Sequence, residues 1–180
     1  VRNFVLKFAL WVFTLNILAI LLLLVLGGKK ISTYSYDKMG DYFFWLRNYE
    51  EAIESWERAS TPSTELKTLR KIGITYLIEG KREEGIRFHI KALKKYPEDP
   101  FIRFNLALLY LQEEKLEDSL REVEKILSRY PGFPHAHYLK GLVYEKKGEE
   151  EKAYQEFMQE LNNNPGCAGA WGKIEILKKE

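Results

Sequence analysis

The sequence predicts an all-α fold, a stack of antiparallel helix pairs preceded by a single N-terminal transmembrane helix. Three observations predict it. Residues Phe8 to Leu26 form an uncharged apolar run, and beyond Lys30 the chain turns charged, tyrosine-rich and helical in pattern. Within that second part, Pro97, Pro131 and Pro165 recur at 34-residue intervals, as do Tyr76, Tyr110 and Tyr144. A fixed period of this length marks a repeat architecture, in which each unit buries its apolar face on its neighbours.

The apolar run comes first. At about 1.5 Å per residue, 8–26 would reach roughly 28 Å, close to the thickness of a bilayer core. Only Thr14 and Asn16 interrupt it, and Arg2, Lys7, Lys29 and Lys30 flank it. The expectation is a membrane anchor over 1–30 that contacts the lipid bilayer through residues 8–26. A short basic tail kept inside would then place the repeat domain outside the cytoplasm, giving a single-pass membrane localisation. A cleaved signal peptide ending near Val25-Leu26-Gly27 is the competing reading, but the run exceeds the usual signal core.

Composition narrows the remainder. In 180 residues, 28 Lys and Arg nearly cancel 26 Asp and Glu, so the net charge of +2 gives no reason to expect a nucleic-acid partner. The single cysteine, Cys167, excludes an internal disulfide framework and reads as a small packed side chain.

The repeat has a mechanical reading at each position. Apolar residues recur at helical spacing through 66–79 and 83–93, 101–111 and 116–127, then 138–144 and 153–161. Small residues share the period: Gly73, Ala107 and Gly141 at one position, Gly85, Ser119 and Ala153 at another. They allow two helices to approach closely. Gly80 and Gly148 stand where the first helix of a pair must stop, and each proline closes the second helix.

On these residues the sequence resembles the tetratricopeptide repeat family. The family pattern is best matched in 134–167 through Gly141, Tyr144, Gly148, Ala153, Phe157 and Pro165, while His137 and Lys140 replace its Trp and Leu. Units 66–99 and 100–133 match through Ile72, Gly73, Tyr76, Gly80, Ala92 and Pro97, and through Leu106, Ala107, Tyr110 and Pro131. A linker and degenerate pair occupies 31–65, and 168–180, opening near Trp171, reads as a capping helix. The resemblance implies a right-handed superhelix lined on its concave side by the first helix of each unit.

It also implies a groove for a protein or peptide partner. Carried onto this chain, the inner positions give Arg70, Ile74, Leu77, Phe101, Phe104, Asn105, Leu108, Leu111, Tyr138 and Leu142. The carboxylate clamp of some family members is incomplete, since Asn105 is in place but Ile74 and Leu139 are not the polar residues it needs. The expected role is an adaptor or scaffold, in the assembly of an envelope complex such as a pilus, a secretion apparatus or the cytochrome maturation machinery. A self-associating structural protein with its groove filled by its own segments is the alternative.

An enzyme is the remote reading, because no catalytic constellation, cofactor motif or metal-ligand spacing stands out. His135 and His137, two residues apart on a helix, point to nearly opposite faces and form no chelating pair. His89 falls at a core position, and Glu122 is expected on the outer face. Oligomeric state has no sequence signal.

Overall fold

The computed structural model describes residues 33–178 of the chain, and within them nine α-helices follow one another with no strand. They are α1 (Thr33–Trp45), α2 (Tyr49–Ala59), α3 (Glu65–Glu79), α4 (Arg82–Lys95) and α5 (Pro100–Gln112). Then come α6 (Leu116–Arg129), α7 (Ala136–Lys146), α8 (Glu150–Asn163) and α9 (Ala168–Leu177). Each helix packs on the next, and α3 also touches α5, as α5 touches α7. Contacts between alternate helices on one side make the odd-numbered helices the inner row of the stack.

The punctuation of the sequence explains where the helices stop. Helices α4, α6 and α8 end at Tyr96, Tyr130 and Asn164, each immediately before a proline of the 34-residue series. A residue preceding proline is driven out of the helical region, and all three C-caps share φ near −130° and ψ near 75°. First helices stop differently. Gly80 and Gly148 take φ of 77° and 74°, the left-handed conformation that lets the chain reverse into the second helix. Glu114 occupies the same turn at φ 55° without a glycine's freedom. Helix α5 starts on Asp99, whose side chain accepts the Ile102 amide at 2.9 Å, with Pro100 in the first turn.

Packing within a pair follows one rule. A Cβ at Gly73 would lie 2.5 Å from His89 Nε2, and one at Gly141 would lie 2.5 Å from Phe157 Cε1; Trp56 crowds Gly40 in the same way. In each case the large side chain sits sixteen residues after the glycine and presses flat onto its bare backbone. In the remaining pair the same two positions are Ala107 and Val123, both fully buried in one core cluster. Helix approach is therefore maintained by matching a small residue to a large one, and the intermediate sizes meet in the middle.

Along the stack, polar ties join residues roughly one unit apart in sequence, within a pair or between neighbouring pairs. Lys95 reaches Glu65, Arg129 reaches Glu98 at 2.5 Å, Lys146 reaches Glu114 at 3.1 Å, and Lys173 reaches Glu145 at 2.7 Å. Most are exposed and individually weak. Within the α5–α6 pair a buried tie stands out: Arg103 of α5 binds the carboxylate of Glu122, which is buried rather than outer-facing because the two close the α5–α6 seam.

The membrane localisation needs correction. Among the described residues no helix is long and apolar enough to cross a membrane. The longest, α3, has 15 residues and carries Lys, Arg and Glu, giving it about 22 Å of length against the roughly 30 Å of a bilayer core. The segment on which the anchor expectation rested, residues 8–26, lies outside the described residues.

Candidate functional site

Helical spacing sets Arg70, Ile74 and Ile78 four residues apart on one face of α3. On α5, Phe101 and Asn105 are spaced in the same way. Three of these side chains are open to solvent: Ile74 is 46% exposed, Ile78 53% and Phe101 50%. The terminal helices of the inner row add Tyr34 and Trp45 on α1 and Trp171 and Ile176 on α9, all exposed. Second helices, by contrast, expose only Ile90 and Met158 among the large apolar residues within their spans in the described region, with Tyr130 exposed at the C-cap of α6. The uncovered apolar surface thus gathers on the first helices.

The remaining expected groove residues sit deeper. Phe104, Leu108 and Leu142 pack on the core cluster around Val123 and Ile126, and Leu111 is part of it at 8% exposure. Leu77 leans on Ile86, Leu106 and Leu109. Tyr138 stacks at 5.7 Å on the Phe157 ring. From the turn before α7, Phe133 lies 5.1 Å from the Phe101 ring and 5.7 Å from Phe104, shielding one flank of both.

Arg70 is engaged within the chain. Its Nε donates to Asp99 Oδ2 at 3.1 Å, its Nη2 donates to the same carboxylate, and its guanidinium lies 4.5 Å from the Phe101 ring centroid. Asp99 meanwhile caps α5, so one buried carboxylate ties α3 to α5 and orients Phe101. The clamp position Leu139 is fully buried and faces the core.

The three histidines have separate fates. His89 is buried as expected, its Nδ1–H directed at the Gly85 carbonyl at 2.7 Å and its Nε2 left without a partner. Burial holds its pKa below the ordinary histidine value, so the ring is neutral. His137 contacts Glu156 at 2.6 Å and Lys140 contacts the same carboxylate at 2.8 Å. Burial pushes the Glu156 carboxyl up, but these two partners outweigh it and hold it below the usual range. The pair that replaces the family's Trp and Leu is therefore satisfied by one acid on α8. His135 points elsewhere, to Glu160 and Cys167, a grouping that spacing alone gave no sign of.

Comparison with known proteins agrees with the fold. The family pattern described as Tetratricopeptide repeat matches residues 104–166. The photosystem I assembly protein Ycf3 of Synechococcus sp. (strain CC9605) is 36% identical over 70 residues, 39% of each chain, so the match spans about two-fifths of that relative's length. Among solved structures, MamA from Desulfovibrio magneticus RS-1 is 16% identical with a TM-score of 0.70, covering 84% of this chain and 86% of that one. YrrB, described as a TPR protein with an unusual peptide-binding site, is 18% identical with a TM-score of 0.66 over 79% of this chain and 74% of its own. The described helices form a tetratricopeptide-like α-solenoid, within which residues 104–166 match the tetratricopeptide repeat pattern.

Proposed function

We infer that the chain is a non-catalytic adaptor that holds a partner polypeptide against its first helices, with repeat units at 66–99, 100–133 and 134–167. The observation that carries this reading is the exposed apolar row Ile74, Ile78 and Phe101 on the inner helices, where the second helices leave only the separate Ile90 and Met158 open among the described residues. Surface of this kind favours association, and each large side chain covered by a guest contributes about 1.5–3 kcal/mol. YrrB supports a peptide as guest, and Ycf3, named for photosystem I assembly, supports a role in building a larger complex. An envelope complex has no such support.

The chemistry of the guest follows from the Arg70 pairing. A guest carboxylate would have to displace Asp99, which also caps α5. The groove therefore suits an apolar helix or strand, and the affinity should depend only weakly on salt. A photoreactive residue at Ile74 tests the reading against the same probe at Lys91, exposed on the second helix α4. A protein captured from Ile74 alone, and lost in Ile78→Asp, supports it; equal capture from both positions overturns it.

Self-association is the second reading, favoured by the exposed Trp45 of α1 and Trp171 of α9 at opposite ends of the described stack. Light scattering across a concentration series separates the two. A monomer supports the adaptor, and an oligomer dispersed by Trp171→Asp supports self-association.

A further inference from the structure

One corner of the repeat changes chemistry between successive units. In the unit of α5 and α6, three positions in register are Phe101, Ile126 and Phe133: the Phe101 and Phe133 rings meet edge to face, and Ile126 is buried. One repeat later the same positions are His135, Glu160 and Cys167. An apolar corner has been replaced by three metal-ligand side chains, two of them buried.

The geometry brings one donor atom from each within 4.8 Å of the others. His135 Nδ1 lies 3.8 Å from Cys167 Sγ and 3.6 Å from Glu160 Oε1. Tetrahedral zinc with ordinary Zn–S, Zn–N and Zn–O bonds would need such edges to be about 3.3–3.6 Å. The two edges from His135 need a few tenths of an ångström, and the Glu160–Cys167 edge, which lies within 4.8 Å, closes by up to about 1.2 Å through side-chain rotation on binding. His135, at the head of α7, adopts φ 63°, a left-handed conformation costly for a histidine.

Electrostatics gives a second reason. Glu160 is 1% exposed, and its carboxylate accepts the amides of His135 (3.1 Å) and Tyr138 (3.4 Å) and the Asn164 side chain (3.3 Å). No Lys or Arg among the described residues pairs with it; the His135 ring is its one ion-pair partner there. Three neutral donors orient this anion without neutralising it, and a buried carboxylate gains most from a cation.

We propose that His135, Glu160 and Cys167 form a zinc site that fastens the N-terminus of α7, the C-terminal turn of α8 and the start of α9. Mixed sulfur, nitrogen and oxygen donors suit this borderline ion, and the exposed side of His135 leaves the fourth position to water. On binding, the Cys167 thiol releases its proton to solvent as the Sγ–Zn bond forms, and His135 binds through Nδ1 as the neutral ring. Affinity therefore falls as the pH is lowered.

The test uses the full chain, stripped of metal by chelation and titrated with Co2+, then with Zn2+. Cys167 is the chain's single cysteine, so a thiolate-to-cobalt charge-transfer band can arise from no other residue. The expected result is one Co2+ per chain with that band, its loss on adding Zn2+, and a higher melting temperature with zinc. Cys167→Ser abolishes the band. His135→Asn, which tolerates the left-handed backbone and keeps the buried residues intact, weakens Co2+ binding at least tenfold. No band at saturating Co2+, or a band of equal affinity in His135→Asn, overturns the proposal, the latter by showing thiolate ligation between chains.

Discussion

Adding one methyl group at Gly141 tests the rule that small and large residues are matched within each helix pair. The new Cβ would lie 2.5 Å from Phe157 Cε1 and 2.6 Å from Cδ1, about 1 Å inside ordinary carbon contact. Phe157 is fully buried, so its ring cannot swing into solvent and the helices must separate. Overpacking of this size costs about 1–3 kcal/mol, and alanine's better helix propensity returns about 0.5–1 kcal/mol. Gly141→Ala should therefore destabilise by about 1–2 kcal/mol. Phe157→Val alone leaves a cavity beneath a bare glycine and should cost about 2–4 kcal/mol. Together they recreate the Ala107 and Val123 combination already present one repeat earlier, and the methyl fills part of the vacated space. Urea unfolding followed by far-ultraviolet circular dichroism should give a double mutant more stable than the sum of the singles predicts, by about 1–2 kcal/mol. Strict additivity would refute the argument.

The other predictions concern single positions. Glu114→Gly removes a left-handed non-glycine residue from the turn where Gly80 and Gly148 already stand, and should stabilise by about 0.5–1 kcal/mol in the same assay, less a few tenths for the lost Lys146 contact. His89 is held neutral in the fold while the unfolded chain protonates near its ordinary value of 6.5, so stability should decline as pH falls below about 6.5 until the depressed native pKa is reached. His89→Phe, which copies the Phe157 side chain found in the same register, should remove that decline; an unchanged pH profile between about 6.5 and 5 would show that another group causes it. Arg103→Ala leaves the Glu122 carboxylate buried with only Lys125 beside it, and should lower stability by about 2–4 kcal/mol, against under about 1 kcal/mol for the exposed Arg129→Ala.

Much of the fold was legible because its signals are local and repeated. Proline forbids continuation of a helix wherever it stands, and a small residue every 34 positions stands out against a variable surface. The helices begin and end within about three residues of the apolar windows for this reason. What the sequence concealed depends on partners from other helices. Glu122 follows a polar stretch and reads as solvated, yet Arg103 from α5 covers it. Arg70 reads as a free groove cation, yet Asp99, 29 residues later, takes both arms of its guanidinium.

The candidate site was harder still, for a reason built into stacked pairs. A first helix is apolar toward its own partner, toward the next pair and toward the groove, so periodicity cannot say which surface a given side chain serves. Phe101 and Phe104 are identical in type and one turn apart, but Phe104 faces the core cluster while Phe101 stays half open over Arg70. The polar residues resolve what the apolar ones leave ambiguous. Asp99 draws Arg70 toward α5 and Phe101 lies against that guanidinium, so a salt bridge rather than burial sets the position of the half-open Phe101. Under the adaptor reading proposed above, this pairing would let Phe101 stay half exposed without collapse, because the residues that position it are paired before any guest arrives.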